Sequence, residues 1–285
     1  MVDQEAQRRF IQDYIDTMPS LSTSVAKVME LCSRSDTSPN DLNRVISLDP
    51  VLAGRVLKLI NSAYYSLFNR VTSLTRAVIM LGLNTVKNLA LSTAIIRCVN
   101  QAKKSKALPI HQFWAHSIGV GVASKLLAVY QGVSPGAREE YFVAGLLHDL
   151  GKIPFGDTYG EIITQSLAEG RDLLSMEQAQ LGISHLDAGG MIAAKWVLNT
   201  SFTEAMALHH HPAQASEEHR RLVALVAIAD AFCNTFEIGS AGNHHPDEAG
   251  LAEALQVAGL SWPEVVELLR MVDEEISKAE IFLQT

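Results

Sequence analysis

Apolar residues recur along this chain at intervals of three and four, and β-type alternation bounded by turn residues is hard to find. The pattern predicts an all-α protein. Ser38-Pro39-Asn40-Asp41 supplies an N-cap, a proline at the first helical position and an acid at the third. Asp49-Pro50 opens the next helix in a similar way, and Val51, Leu52, Val56, Leu59 and Ile60 give it an apolar stripe that must face a neighbour. Ser73 starts a helix that stops at Gly82, and Asn84 caps a longer one running to about Arg97. Residues 1–100 thus read as a bundle of short helices. The polar stretch NQAKKSKALP (100–109) reads as a linker with a solvated AKKSKA segment (102–107), and a second helical region, 101–285, packs against the bundle. Within it, the loop GSAGNHHPDEAG (239–250) is expected on the surface. Ser261 and Glu264 form a capping box for a final helix that runs to near Phe282 and buries Val265, Leu268, Leu269, Val272 and Ile276.

The length of 285 residues allows one large or two modest domains with real cores. The longest unbroken apolar run, LVALVAIA (222–229), is far below the roughly 20 residues that cross a bilayer. The start, MVDQEAQRRF, puts charge where an export signal has its apolar segment, so a cytoplasmic protein without a membrane partner is expected. Cys32, Cys98 and Cys233 stand apart without paired spacing and read as small core residues. A net charge of −8 and a pI near 5.7 argue against broad nucleic-acid binding, which needs a basic face.

The candidate chemistry lies in residues that the apolar pattern does not accommodate. His116 shares a helical face with Phe113, Val120 and Leu127. Asp230 sits inside LVALVAIADAF, where a carboxylate needs a cation. His185 follows a Ser184/Asp187 cap and so occupies a first helical turn, where positive charge is not favoured. His209, His210 and His211 end a helix before Pro212, where interaction with free carbonyls is an ordinary explanation. GLLHDLGK (145–152) ends an apolar helix on His148 and Asp149, with Lys152 three residues on. Taken singly, each fits a core histidine or a salt bridge. Together they place imidazoles and carboxylates on separate helices without thiolates, a donor set suited to one or two divalent transition ions such as Zn, Mn, Fe, Ni or Co. Asp149, adjacent to His148, is placed to bridge two ions, which lowers the pKa of a shared water for attack on phosphorus.

The order His116, His148-Asp149, Asp230 resembles the HD superfamily of metal-dependent phosphohydrolases. The closer resemblance is to the HDOD family, the HD-related output domains of bacterial signalling proteins. It rests on LDPVLAGRVLKLINSAYYS and VTSLTRAVIMLGLNTVKNLALSTA in the first half, and on FWAHSIGVGVASKLLA, AGLLHDLGKI, ISHLDAGGMIAAKW and ALHHHP in the second. Compared with the HD-GYP relatives, which hydrolyse cyclic di-GMP, His116, His148, Asp149, His185, His209, His210 and Asp230 stand at metal-ligand positions. The resemblance also implies that Lys152 meets a substrate phosphate, making Asp149 and Lys152 the catalytic pair. Two departures matter: Gln112 stands where such enzymes can carry a glutamate, and PAQAS replaces the GYP segment. The implied function is a signalling protein with phosphohydrolase activity toward a phosphoester or nucleotide. The alternative is a catalytically silent scaffold that binds metal, nucleotide or a protein partner. For the second role, Tyr64, Tyr65 and Phe68 near Arg70 look like exposed aromatics suited to a protein interface, with packing of the bundle as the plainer account.

Overall fold

Local capping chemistry sets most of the helix starts. Ser38 and Asp41 form the capping box of one helix, Asp49 accepts from Leu52 N–H at 3.0 Å to start the next, and Ser73 accepts from Arg76 N–H before a third. The computed structural model describes residues 4–32, 37–101, 107–245 and 247–284. Among these there is no strand. The helices are α1 (Gln4–Thr17), α2 (Thr23–Cys32), α3 (Pro39–Ser47), α4 (Pro50–Ile60), α5 (Leu74–Leu81), α6 (Leu83–Gln101), α7 (Ile110–Tyr130) and α8 (Pro135–Leu147). They are followed by α9 (Tyr159–Glu169), α10 (Leu173–Leu181), α11 (His185–Lys195), α12 (Thr200–Leu208), α13 (Arg220–Thr235), α14 (Glu248–Ala258), α15 (Trp262–Leu268) and α16 (Val272–Ala279). A 3-10 segment, Leu150–Thr158, links α8 to α9. The expected linker at 102–106 and the side chain of Cys32 lie outside the described residues; Cys98 and Cys233 are buried, as expected.

Two helices organise the packing. α6 gathers α2, α4 and α5 around it and also lies against α8, so one continuous core runs from Ile11 to Phe282 through both halves. α7 packs against α8, α13 and α16, and most of its residues from Phe113 to Ala128 are buried, as an apolar-all-round helix must be. α7 and α8 approach closely because glycines face each other. A Cβ on Gly145 would lie 2.8 Å from the Gly121 backbone, and one on Gly121 would lie 2.7 Å from Phe142 O. That proximity brings His116 on α7 to His148 at the end of α8. Among the described residues no single helix is long and apolar enough to cross a membrane; α5 and α6 would qualify only together, and they bend by 120°.

Sequence expectations need correction at Asn84, which lies inside α6 rather than capping it, at the C-terminal helix and at the loop 239–250. The C-terminal helix is broken at Leu269 to Met271, which lets Val272 on α16 and then Phe282 turn back along α7. The loop 239–250 is not a plain surface loop: Ala241 and Gly242 are buried, Asn243 reaches Lys152 at 3.1 Å, and Asp247 holds His210 at 3.0 Å. Its polar residues are drawn inward by buried partners, which composition alone does not reveal. Tyr64 and Tyr65 follow the plainer account of the sequence and pack the first half against the second. Tyr64 packs tilted against Phe142 and edge-on against Phe282, with ring centroids 5.6 Å from each, and the Tyr65 hydroxyl donates to Glu139 at 2.7 Å. Lys125 completes the arrangement at 2.7 Å from Glu139 and 4.4 Å above the Tyr64 ring. Phe68 alone is fully exposed. Tyr64→Ala is therefore expected to cost about 3–5 kcal/mol of stability and Phe68→Ser less than about 0.5, read as denaturant midpoints; equal effects would contradict this packing.

Candidate metal centre

Five helices deliver the seven candidate ligands to one buried place: α7 carries His116, α8 ends on His148 and Asp149, α11 begins with His185, α12 ends on His209 and His210, and α13 carries Asp230. Each arrives for a local reason. Ser184 and Asp187 cap α11 and so point its first residue, His185, inward. Asn199 caps α12, whose length sets where His209 falls. Asp230 sits on a helix whose neighbouring residues are buried, and Asn234 one turn on donates to its Oδ1 at 2.9 Å.

The ligand atoms form two groups, each within 4.8 Å: His116, His148, Asp149 and Asp230 in one, and His185, His209 and His210 in the other. Asp149 stands between them. Its Oδ2 lies 3.3 Å from His148 Nε2 and 3.8 Å from His116 Nε2, while its Oδ1 lies 3.7 Å from both His185 Nε2 and His209 Nε2. Asp230 Oδ1 is 2.9 Å from His116 Nε2 and 3.4 Å from His148 Nε2.

Hydrogen bonds behind the rings assign their tautomers. His148 Nδ1 donates to Gly145 O at 2.7 Å, His209 Nδ1 to Ala205 O at 2.9 Å and His185 Nδ1 to Glu177 Oε2 at 2.6 Å. Carbonyls and carboxylates only accept, so each Nδ1 carries hydrogen and each Nε2 faces the centre. His185 Nε2 and His209 Nε2 consequently meet at 3.3 Å, two acceptors aimed at each other. His116 Nδ1, His148 Nε2, Asp149 Oδ1 and His210 Nε2 are buried without a hydrogen-bond partner among the described residues. Orphaned polar atoms converging from nitrogen and oxygen donors fit a divalent cation better than a purely structural network.

Electrostatics agree. Burial works against ionised Asp149 and Asp230, yet the facing imidazoles outweigh it, helped at Asp149 by Lys152, and hold both carboxyls well below the usual range. Burial likewise opposes a charge on His148, but Asp149 and Asp230 push it up to about 10. Burial, with Lys152 near His185 and His210 near His209, holds His185 and His209 well below the usual histidine range, in the neutral form that binds metal.

Two residues of the site escaped the sequence reading. Glu177, buried on α10, takes the His185 Nδ1 and backbone N–H and the Tyr159 hydroxyl, and burial raises its carboxyl to about 7. Its signal was available: Leu173, Glu177 and Leu181 recur at four-residue intervals, placing an acid on an apolar stripe. Asp247, which holds His210, lies in a loop without periodicity and gave none. Carboxylates behind ligating histidines typically contribute 10–100-fold in affinity, so Glu177→Gln is expected to weaken metal binding by about that factor in chelator competition without unfolding the protein.

Lys152 is buried, with its ammonium 2.7 Å from Asp149 Oδ2 and 3.1 Å from Asn243. It does not line the cleft that opens onto the centre past Asp172, Asn234, Asn243 and His245, and no lysine or arginine does among the described residues. Gln112, His211 and His244 are exposed, outside both groups.

Comparison with known proteins gives a consistent result. The family model for the HDOD domain matches residues 18–212. A Treponema pallidum (strain Nichols) protein described as uncharacterized is 27% identical over 225 residues, which are 77% of this chain and 43% of that relative. The chain thus spans less than half the length of the curated relative it matches. Among solved structures, an HDOD domain protein with unknown function from Geobacter sulfurreducens has a TM-score of 0.74 at 25% identity, covering 98% of both chains. A protein from Shewanella amazonensis SB2B, provisionally named a phosphohydrolase, has a TM-score of 0.71 at 24% identity, covering 96% of this chain and 98% of that one.

Proposed function

This chain belongs to the HDOD family, and from that premise we propose that it is a signalling protein of bacterial type that keeps a two-ion metal centre and uses it to hydrolyse a small phosphoester. The observation that carries the reading is Asp149, a buried carboxylate whose two oxygens face two separate imidazole groups. His116, His148, Asp149 and Asp230 would hold one divalent transition ion, and His185, His209 and His210 with the other oxygen of Asp149 a second. Such ions supply Lewis-acid chemistry: activation of water and neutralisation of charge on a phosphoryl group. The chain's own contribution is orientation. Glu177, Gly145 O and Ala205 O fix three rings, Lys152 and Asn234 fix the two carboxylates, and the apolar helices around them exclude water.

The resemblance assigned Lys152 to a substrate phosphate, but its pairing with Asp149 favours a different role, holding that carboxylate in place. The same observation, with a cleft free of cationic side chains among the described residues, favours the second reading, a metal-holding signalling module without turnover. One experiment separates them. Untagged protein from cells grown with added Mn, Fe and Zn is analysed for metal and assayed on p-nitrophenyl phosphate and bis-p-nitrophenyl phosphate. The proposal expects one to two ions per chain and metal-dependent turnover that Asp149→Asn abolishes. Metal without turnover selects the second reading, and less than roughly a tenth of an equivalent of metal ends both.

A further inference from the structure

A second cavity, of about 200 Å³, lies in the N-terminal half, where no role has been assigned. It opens between the α1–α2 connection, the start of α4 and α6. Its apolar floor is formed by Val25, Leu52 and Cys98, all buried. Its polar side is rich in donors: Arg55, half-buried, and Arg97, exposed, with Gln101 and Ser22. Neither guanidinium has an ion pair or hydrogen bond with any of the described residues. Among the described residues Asp49 is the only acid in the lining, and one of its oxygens is already occupied by the Leu52 N–H at 3.0 Å. Ser22 Oγ accepts from Val25 N–H at 3.4 Å, which leaves its O–H to donate.

The walls are held in place without a ligand. Trp196 Nε1 donates to Pro19 O at 3.1 Å, tying the α1–α2 connection to α11. Thr93 caps its own helix turn through Leu89 O, and so adds no unspent donor. Two guanidiniums against a single carboxylate, one oxygen of which is held by the Leu52 N–H, leave a surplus of positive charge and donors over an apolar floor and call for a guest with several acceptor oxygens, negative charge and a small apolar body. The volume falls short of the roughly 300–1,000 Å³ of sites for drug-sized ligands, which excludes a dinucleotide and selects a compact metabolite.

We propose that the cavity framed by Arg55, Arg97 and the α1–α2 connection is a binding site for a small organic anion, a carboxylate or phosphate carried on an apolar body, separate from the metal centre. The inference does not depend on hydrolysis at the histidine groups, and its test is built to be independent of them.

The full chain is titrated calorimetrically with phenylphosphonate and with benzoate, and with phenol as the neutral control, both metal-loaded and after chelation. Expected is one saturable site for at least one of the anions, present in both states, with phenol weaker than that anion. Arg55→Gln with Arg97→Gln should weaken it by about tenfold or more while melting temperature and metal content stay at wild-type values. Should the double variant fold poorly, Arg97→Gln alone, at an exposed position, carries the test. No saturable anion binding, affinity unchanged by the arginine substitutions, phenol binding as tightly as the anions, or binding that vanishes on chelation would each overturn the proposal.

Discussion

Asp149→Asn is expected to empty both histidine groups of metal and to lower the melting temperature by roughly 10 °C. Both effects follow from one position. Among the described residues Asp149 is the only carboxylate with an oxygen toward each group, so losing its charge removes a ligand from two ions at once. It is also the partner of the buried Lys152 ammonium at 2.7 Å. Breaking a buried ion pair from one side costs about 3–5 kcal/mol, and in a chain of this size each kcal/mol moves the melting point by about 2–4 °C. Asp187→Asn is the matched control. It weakens the α11 capping box, at a cost of about 1 kcal/mol, and should leave both ions bound. Elemental analysis with differential scanning fluorimetry reads both quantities. Equal metal loss in the two variants would mean that general destabilisation, rather than ligation, empties the site.

Gly151→Ala should be as damaging without touching a ligand. A methyl group there would lie 1.9 Å from His185 O and 2.6 Å from Gly189 N, and both obstacles are main chain. Overpacking that side chains can absorb costs about 1–3 kcal/mol. Here α11 itself must move, and His185 moves with it. The expected result is little folded protein or a melting point lower by more than about 10 °C, with metal lost from the His185 group first. Gly136→Ala, a helical position on α8 with nothing within 4 Å, should be neutral or stabilising by up to about 1 kcal/mol. A Gly151→Ala protein that melts and binds metal like wild type would refute the close approach of the Leu150–Thr158 turn to α11.

The glycine of HDLGK thus has a steric explanation that the motif alone does not provide. The sequence reading valued Lys152 for a substrate phosphate and passed over Gly151. The structure gives Lys152 to Asp149 and makes Gly151 the point of contact between two ligand-bearing segments. The same kind of contact, Gly145 against Gly121, sets the distance between His116 and His148. Neither contact has a signature in the chain, because an apolar helix containing glycine looks the same whether the glycine faces a neighbour or a side chain.

Features governed by neighbours in the chain were legible from the sequence. The caps at Ser38, Asp49, Ser73, Ser184 and Ser261 are readable because a capping side chain bonds backbone only two or three residues away. His116 and Asp230 were readable as anomalies because helical periodicity declares which face is buried, and a polar group on that face needs a partner. That partner's identity is set by residues far off in sequence, and only the tertiary structure decided it. His116 meets Asp230 across 114 positions, Tyr65 meets Glu139 across 74 and Lys152 meets Asn243 across 91. The sequence by itself therefore determined an all-helical protein with a set of buried imidazoles and acids. Helix packing decided their division into two groups around Asp149, the packing of Tyr64 and Tyr65 against the second half, and the inward loop that brings Asp247 to His210. The physical reason is range: capping and periodicity act within a few residues, whereas which buried polar groups meet depends on how closely the helices pack against one another.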